Sequence, residues 1–166
     1  MKITGLLISL LFASFFAVSC HNANKGNDSS SNLELTEDTT DVEVPYVVGQ
    51  NYFVKNTVQD SVLTLTLTSQ EDFDKYFGMA VTMAEDGKPT PIDFEKQVVI
   101  TFIDKVSDKS VGITPQSLNL ENDKINLQYK IETDTIARSF TSRAFLLLIV
   151  DKEYGENVEF SEVSEK

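Results

Sequence analysis

Hydrophobic and polar positions alternate with a period of two through much of residues 45–166. Val62 to Thr68 reads VLTLTLT, which places leucines on one face of a strand and threonines on the other. Ile125 to Ile131 alternates in the same way, and Glu121 to Lys124 joins it to the stretch Leu118 to Leu120 as a hairpin. The pattern predicts antiparallel strands that are buried on one face.

Two longer runs are apolar at nearly every position. Val98 to Ile103 reads VVITFI and Ala144 to Val150 reads AFLLLIV, as expected of strands that are covered on both faces. We therefore predict that they form the middle of the sheet. The shorter runs Tyr52 to Val54 and Val158 to Phe160 predict edge or terminal strands.

One segment has the pattern of a helix. Ser69 is placed to cap a helix whose first turn carries Glu71 and Asp72, and Phe73, Tyr76 and Phe77 form an apolar stripe. The long helical patterns that a parallel sheet needs between its strands are missing. The predicted fold class is therefore α+β, a mainly antiparallel β-sheet with one short capped helix packed on it.

The start of the chain has the layout of a secretory signal. Lys2 supplies a positive charge, and the apolar run from Gly5 to Val18 is shorter than the about 20 residues that a membrane span needs. Ala17 to Cys20 then resembles a lipobox, whose cysteine thiolate takes a diacylglyceryl group. We predict a signal peptide over residues 1–19 and lipidation of Cys20, with palmitate among the acyl chains.

A lipidated Cys20 would anchor the chain in the bacterial cell envelope, on the periplasmic or the surface side. Several acyl chains hold a protein at a bilayer durably, because each buried CH₂ contributes about 0.8 kcal/mol. The alternative is an ordinary secreted protein in which Cys20 is an incidental free thiol. Residues 20–44 are rich in Asn, Ser, Thr, Asp and Glu and predict a flexible acidic tether. Residues 45–166 then form a single domain.

The composition argues against several classes of chemistry. With 14 basic and 26 acidic residues the formal charge is -12, so we expect no binding to nucleic acid. The only histidine, His21, and the only cysteine, Cys20, lie beside the predicted anchor, where they cannot build a catalytic unit or a zinc site in the domain. We expect no enzyme activity, no cofactor and no metal ion.

Three tripeptides of Asp, then Ser or Thr, then a small or apolar residue resemble a bacterial O-glycosylation sequon. Their acceptor residues are Thr39, Ser61 and Thr135, which lie in the tether or in predicted turns where a glycan would fit. The alternative is that these pairs of an acid and a hydroxyl are ordinary turn residues.

The chain has two arginines, which flank a short polar stretch. Arg138 and Arg143 lie on either side of Ser139 to Ser142, and guanidinium groups are favoured at protein interfaces. They are therefore candidates for binding a carboxylate of a partner, and the alternative is that they form surface ion pairs. Lys105 to Ser117 reads as a loop on the sheet and is a second candidate binding region.

Four phrases follow one another in the order of these predicted elements: SQEDFDKYF, PIDFEKQVVITF, TSRAFLLLIV and NVEF. Together they resemble the C-terminal domain family of the protease complex subunit PrcB, and the resemblance covers roughly Val62 to Phe160. Members of that family often carry a Gly-Gly-Tyr turn after the Val-rich strand, where this chain has Val111 to Ile113. The resemblance implies a small exported or lipid-anchored domain with an accessory role and no catalytic residues.

Two functions follow as hypotheses. The first is a membrane-tethered, non-catalytic domain that binds or stabilises another envelope protein, for example a protease. The second is a lipoprotein that binds a small ligand or a glycan in a cleft between sheet and helix, lined by aromatic residues such as Tyr76, Phe77 or Tyr129.

Overall fold

The computed structural model of the chain describes residues 42–81, 83 and 87–164. The predicted signal peptide, Cys20, Thr39 and nearly all of the predicted tether lie outside the described residues. Within the described ranges, no helix has the length and apolar character needed to cross a bilayer.

The described residues form a mainly antiparallel β structure with one short α-helix, so the predicted α+β class is met in a domain that is mostly β. The elements in chain order are β1 Val42–Glu43, β2 Val47–Val48, β3 Tyr52–Val54, β4 Leu63–Leu67, α1 Gln70–Tyr76, β5 Phe77–Met79, β6 Gln97–Glu121, β7 Lys124–Asp151, a 3₁₀ turn at Lys152–Tyr154, and β8 Val158–Glu162.

A single long hairpin organises the domain. β6 and β7 pair antiparallel from Gln97 opposite Asp151 to Glu121 opposite Lys124. Asn122 and Asp123 close the hairpin with φ angles of 51° and 60°, the left-handed conformation that a two-residue type I′ turn requires at both positions. The hairpin predicted around this turn is confirmed.

The hairpin has two regular ends joined by an irregular middle. Its proximal half consists of the ends of β6 and β7 that lie far from the turn, with β4 added beside β6 and β2 beside β7. Its distal half, next to the turn, has β1 beside β6 and β8 parallel to β7. Residues of both halves share one hydrophobic cluster, and the rings of Phe102 and Tyr129 lie 4.7 Å apart. The hairpin therefore bends and packs one half on the other.

The proximal half is buried on both faces, as its two continuous apolar runs predicted. Ile100 and Leu148 face the distal half, whereas Val99 and Leu147 belong to a second cluster that contains residues of β4, α1 and β5. Thr101 is the one buried polar residue of the described part, and its Oγ1 donates a 2.7 Å hydrogen bond to the carbonyl of Leu146. Its hydroxyl is therefore satisfied inside the sheet.

The helix begins where the sequence indicated. The backbone N–H of Asp72 donates to Oγ of Ser69 at 3.1 Å, and Ser69 itself has an extended backbone, which is the geometry of an N-cap. The helix ends at Tyr76, and Phe77 begins β5. Phe77 was predicted as part of the helical stripe and is instead buried from a strand, in a stack with Phe73.

Two boundaries differ from the sequence prediction. Val42 to Val44, placed in the tether, belong to the fold: Val42 and Glu43 pair with β6, and Val44 is buried with its N–H donating to Leu118 O. A strand this short leaves too little alternation to be recognised. Lys105 to Ser117 is also no loop, because it forms the middle of β6.

Candidate interaction site at the bend of the hairpin

The bend of the hairpin, Asp104–Gly112 of β6 with Glu132–Arg143 of β7, is built by unequal pairing. Ser107 pairs with Ser142, and the next pair is Lys109 with Ala137. Between these two pairs, β7 has four residues and β6 has one. A further mismatch precedes the pair Val111 and Thr133. Bulges of this kind turn the strand and re-aim its side chains. Residues 134–136 and 138–141 therefore leave the regular ladder at the point where the hairpin bends.

Arg143 fastens the bend to the loop that precedes β4. Its guanidinium donates to four backbone carbonyls, which are those of Asp104 at 2.7 Å, Val58 at 3.1 Å, Gln59 at 2.8 Å and Ser61 at 2.7 Å. The planar fork of arginine suits several acceptors at once. These contacts favour a structural role for Arg143 over the predicted binding of a partner. We refer to this set of bonds as the Arg143 clasp.

A further hydrogen bond, from a backbone N–H to a side chain, strengthens the same connection. The carboxylate of Asp60 accepts a 2.8 Å hydrogen bond from the N–H of Val106. The loop before β4 thus contributes both carbonyl acceptors and a carboxylate acceptor to the bend. The bend is irregular in its pairing but is fixed by bonds across the chain.

Arg138 orients an exposed aromatic ring. Its Nη2 donates to Lys109 O at 2.6 Å and to Ser142 Oγ at 2.7 Å, and its guanidinium carbon lies 4.7 Å from the centroid of the Phe140 ring. The Nε of Arg138 is buried and has no hydrogen-bond partner among the described atoms. An unpaired buried N–H group costs free energy. The two hydrogen bonds from Nη2 hold the guanidinium beside Phe140 despite this cost.

Three large apolar side chains of the bend are exposed. Phe140 is 58% exposed, Ile136 is 71% exposed and Val106 is 45% exposed. We call Val106, Ile136, Arg138 and Phe140 the bend surface. The sequence indicated Arg138 but not the three apolar residues. Phe140 lies among polar residues, so no alternating pattern placed it on a core face.

The predicted alternative for the two arginines was surface ion pairing. Among the described residues, the ion pairs lie elsewhere, for example Lys75 with Asp72 and Lys124 with Glu159. Both arginines instead use carbonyl and hydroxyl acceptors. Neither arrangement needs a carboxylate at the bend.

An open cleft of about 480 Å³ lies between the loop before β4 and the bend. Its apolar lining includes Phe53, Val58, Val106 and Phe145. Several polar residues of its wall are already used, since Arg143 belongs to the clasp and Nζ of Lys55 donates to Asp74 O. A second open cleft, of about 400 Å³, lies beside α1 and is lined by Met79 and Pro89 to Ile92 among others.

The aromatic residues predicted to line a ligand cleft lie elsewhere. Phe77 and Tyr129 are buried in the two hydrophobic clusters, and Tyr76 packs against the cluster that contains Phe77. None of the three lines either cleft. The sequence could not show this, because a strand face and a helix stripe look the same whether they meet the core or a ligand.

Side chains with shifted pKa values occupy structural positions. Burial raises the pKa of Tyr52, whose hydroxyl donates to Thr90 O, and burial followed by the charges of Glu162 and Asp104 raises the pKa of Tyr129. Hydrogen bonds from Lys75 and then Ser69 lower the pKa of Asp72 at the start of α1. In the described ranges no group of three or more His, Cys, Asp and Glu side chains is arranged to hold a metal ion.

Two of the three candidate glycosylation residues can be located. Ser61 is half-buried in the loop before β4, where its carbonyl accepts from Arg143. Thr135 is exposed, and it lies in the bulged part of β7 instead of the predicted turn. Asp134 accepts a 3.2 Å hydrogen bond from the N–H of Ile136 across it. Thr135 is thus the more accessible of the two.

Comparison with known proteins adds no relative: no family model, no curated protein and no solved structure matches this chain. The resemblance to the PrcB C-terminal domain family therefore stays a prediction from the residues quoted for it.

Proposed function

We propose that this chain is a membrane-anchored bacterial envelope lipoprotein whose small, non-catalytic domain binds or stabilises another envelope protein through the bend surface. The observation that carries the proposal is the pairing of Arg138 with Phe140, in which a charged group with fixed hydrogen bonds holds an exposed ring outward. Arginine and aromatic residues are the types that contribute most to binding at protein interfaces.

The physical argument is one of preorganisation. An exposed phenylalanine that is already oriented loses less side-chain entropy on binding than a mobile one. The Arg143 clasp fixes the loop before β4, and Asp60 of this loop accepts a hydrogen bond from the N–H of Val106. The clasp therefore helps to hold Val106 of the bend surface in place. A protease is one class of partner, as the resemblance to an accessory subunit implies.

The proposal includes attachment to the membrane through Cys20. A lipid anchor restricts the domain to the surface of the bilayer, so its partner would be another protein of the cell envelope. The acidic character of the chain, with a formal charge of -12, would keep the domain from settling on anionic lipid headgroups.

Site-specific photo-crosslinking in the native envelope tests the function. We expect a photoreactive phenylalanine analogue at position 140 to give a discrete product with one envelope protein, and the same analogue at Tyr46, which is 38% exposed and outside the bend surface, to give none. Arg138→Ala should weaken the product from position 140. Equal products from both positions, or none from position 140, would contradict the proposal.

The open cleft of about 480 Å³ supports the second candidate function, binding of a small ligand or a glycan. Its volume lies within the range of small-molecule sites, about 300 to 1,000 Å³. Native mass spectrometry of the full lipoprotein would detect a retained ligand, and Thr141→Trp, which places a large ring in the cleft wall, should remove it. A spectrum without a bound small molecule would count against this function.

A further inference from the structure

Among the described residues, β4 has a neighbouring strand on one edge only. It pairs with β6, from Leu63 opposite Ile103 to Leu67 opposite Val99. In the part of the chain that the structure describes, no hydrogen bond from any other element reaches Leu63 to Leu67. An open edge presents unpaired backbone N–H and C=O groups to any strand that approaches it.

This edge also has none of the usual protection. Its register with β6 is continuous, without a bulge, and Ser61 to Ser69 contains no charge, no proline and no glycine. The other outer strands of the same sheet differ: β8 carries Glu159 and Glu162, and β1 and β2 have only two residues each. Charges and short length are common ways to prevent edge pairing. In a strongly acidic chain, β4 is a regular and uncharged edge.

We propose that β4 binds β4 of a second copy of this chain, antiparallel about a twofold axis at Leu65. That register places Leu63 opposite Leu67 on one face and Thr64 opposite Thr66 on the other. Leucine pairs and threonine pairs across antiparallel strands are both favourable. A twofold contact of this kind is self-complementary and closes after two copies.

Charge and burial favour a second copy over an unrelated strand. Pairing β4 with itself brings no charged side chain of the strand opposite another, whereas the same pairing of β8 would bring its glutamates close together. Leu63 and Leu65 are only half-buried in one copy, and Val62 beside them is 44% exposed. The second copy would cover this remaining apolar surface and join the two proximal halves into one continuous sheet.

The first test is the oligomeric state of the full lipoprotein in mild detergent, measured by light scattering during size exclusion. We expect a dimer for the unmodified chain. Thr64→Lys with Thr66→Lys would set lysines directly opposite each other and should raise the dimer dissociation constant by about tenfold or more. The matched control is Thr133→Lys with Thr135→Lys, which adds the same charge at exposed positions of the bend and should stay dimeric. Circular dichroism melts verify that both variants fold.

The second test examines the register without changing charge. A mixture of Thr64→Cys and Thr66→Cys chains should crosslink on oxidation more strongly than either variant alone, because only the mixture brings the two positions opposite each other. The unmodified chain controls for any disulfide through Cys20. A monomer at all concentrations, a dimer insensitive to the edge lysines, or equal crosslinking of the single variants would overturn the proposal. These outcomes leave the crosslinking result at position 140 unaffected, so the two proposals fail separately.

Discussion

A guanidinium nitrogen of Arg143 lies 2.7 Å from the carbonyl oxygen of Ser61, a residue 82 positions earlier in the chain. The same guanidinium donates to the carbonyls of Val58 and Gln59 in the loop before β4 and to that of Asp104 in β6. It thereby connects this loop to both strands of the hairpin at the bend. The link does not depend on a hydrophobic contact. It shows how an irregular loop and a bulged strand are held in one arrangement.

Arg143→Ala should therefore lower the free energy of unfolding by about 1 to 3 kcal/mol, since carbonyls that accept from a charged donor lose it. Arg143→Lys should recover only part of the loss, because an ammonium group cannot reach four acceptors in a plane. Urea denaturation measures both. Arg138→Ala serves as the comparison, and a loss as large as that of Arg143→Ala would show that the clasp has no special role.

Replacing Gly49 and Gly112 by alanine should change the stability of the domain to different extents. A Cβ at Gly49 would lie 2.2 Å from Cδ2 of Leu147, which is buried in the core, so Gly49→Ala should destabilise the domain by about 1 to 3 kcal/mol. A Cβ at Gly112 meets nothing within 4 Å, and Gly112→Ala should be neutral or stabilising by up to about 1 kcal/mol. Thermal melts of the pair decide the matter, and equal shifts would contradict the packing described around Leu147.

The N-cap of α1 predicts a local effect. Ser69→Ala removes the acceptor of the Asp72 N–H and should cost about 1 kcal/mol of stability. Ser69→Thr keeps a hydroxyl that can accept from the Asp72 N–H and donate to the Asp72 carboxylate, and it should retain most of the stability. If the alanine and threonine variants melt at the same temperature, the cap does not stabilise the helix.

Asp72 predicts the direction of a pH dependence. Hydrogen bonds from Lys75 and Ser69 lower its pKa below the ordinary 3.8, so its stabilising contribution is present above that pH and is lost as the pH falls through the lowered value. Asp72→Asn should make stability less dependent on pH in this acidic range. Denaturation at a series of pH values between neutral and strongly acidic measures the effect, and an unchanged profile would contradict it.

The anchor is testable directly. Labelled palmitate should be incorporated into the unmodified chain and not into Cys20→Ala, because the diacylglyceryl group that carries the acyl chains is attached to the Cys20 thiol. The mature mass should correspond to a chain that begins at Cys20. Label in the alanine variant, or none in the unmodified chain, would contradict the lipoprotein assignment.

The sequence predicted the parts of the fold that depend on neighbouring residues. Alternation identified β4, the turn at Asn122 and Asp123 identified the hairpin, and Ser69 identified the start of α1. The continuity of β6 could not be predicted, because Gly112 and Pro115 are typical of loops. In the structure, Pro115 stands next to a register shift, one of the places where a sheet accepts proline.

The candidate site was predicted only in part. Arg138 and Arg143 were recognisable as the two arginines of the chain, but their roles differ because of groups that lie far away in sequence. Arg143 meets carbonyls of residues 58–61, and Arg138 meets Phe140 after a bulge that no local pattern indicates. Bulges follow from how the whole hairpin packs on itself.

The order of the strands also determines the order in which the domain can fold. β1, β2 and β4 each pair with a strand that comes later in the chain, and β3 pairs with β5. The two-residue turn joins positions close in sequence and can form early, whereas the pair Gln97 and Asp151 requires closure of the whole hairpin, which is slower. In the export that we propose, the strands that emerge first, β1 and β2, would therefore remain unpaired until β6 and β7 follow.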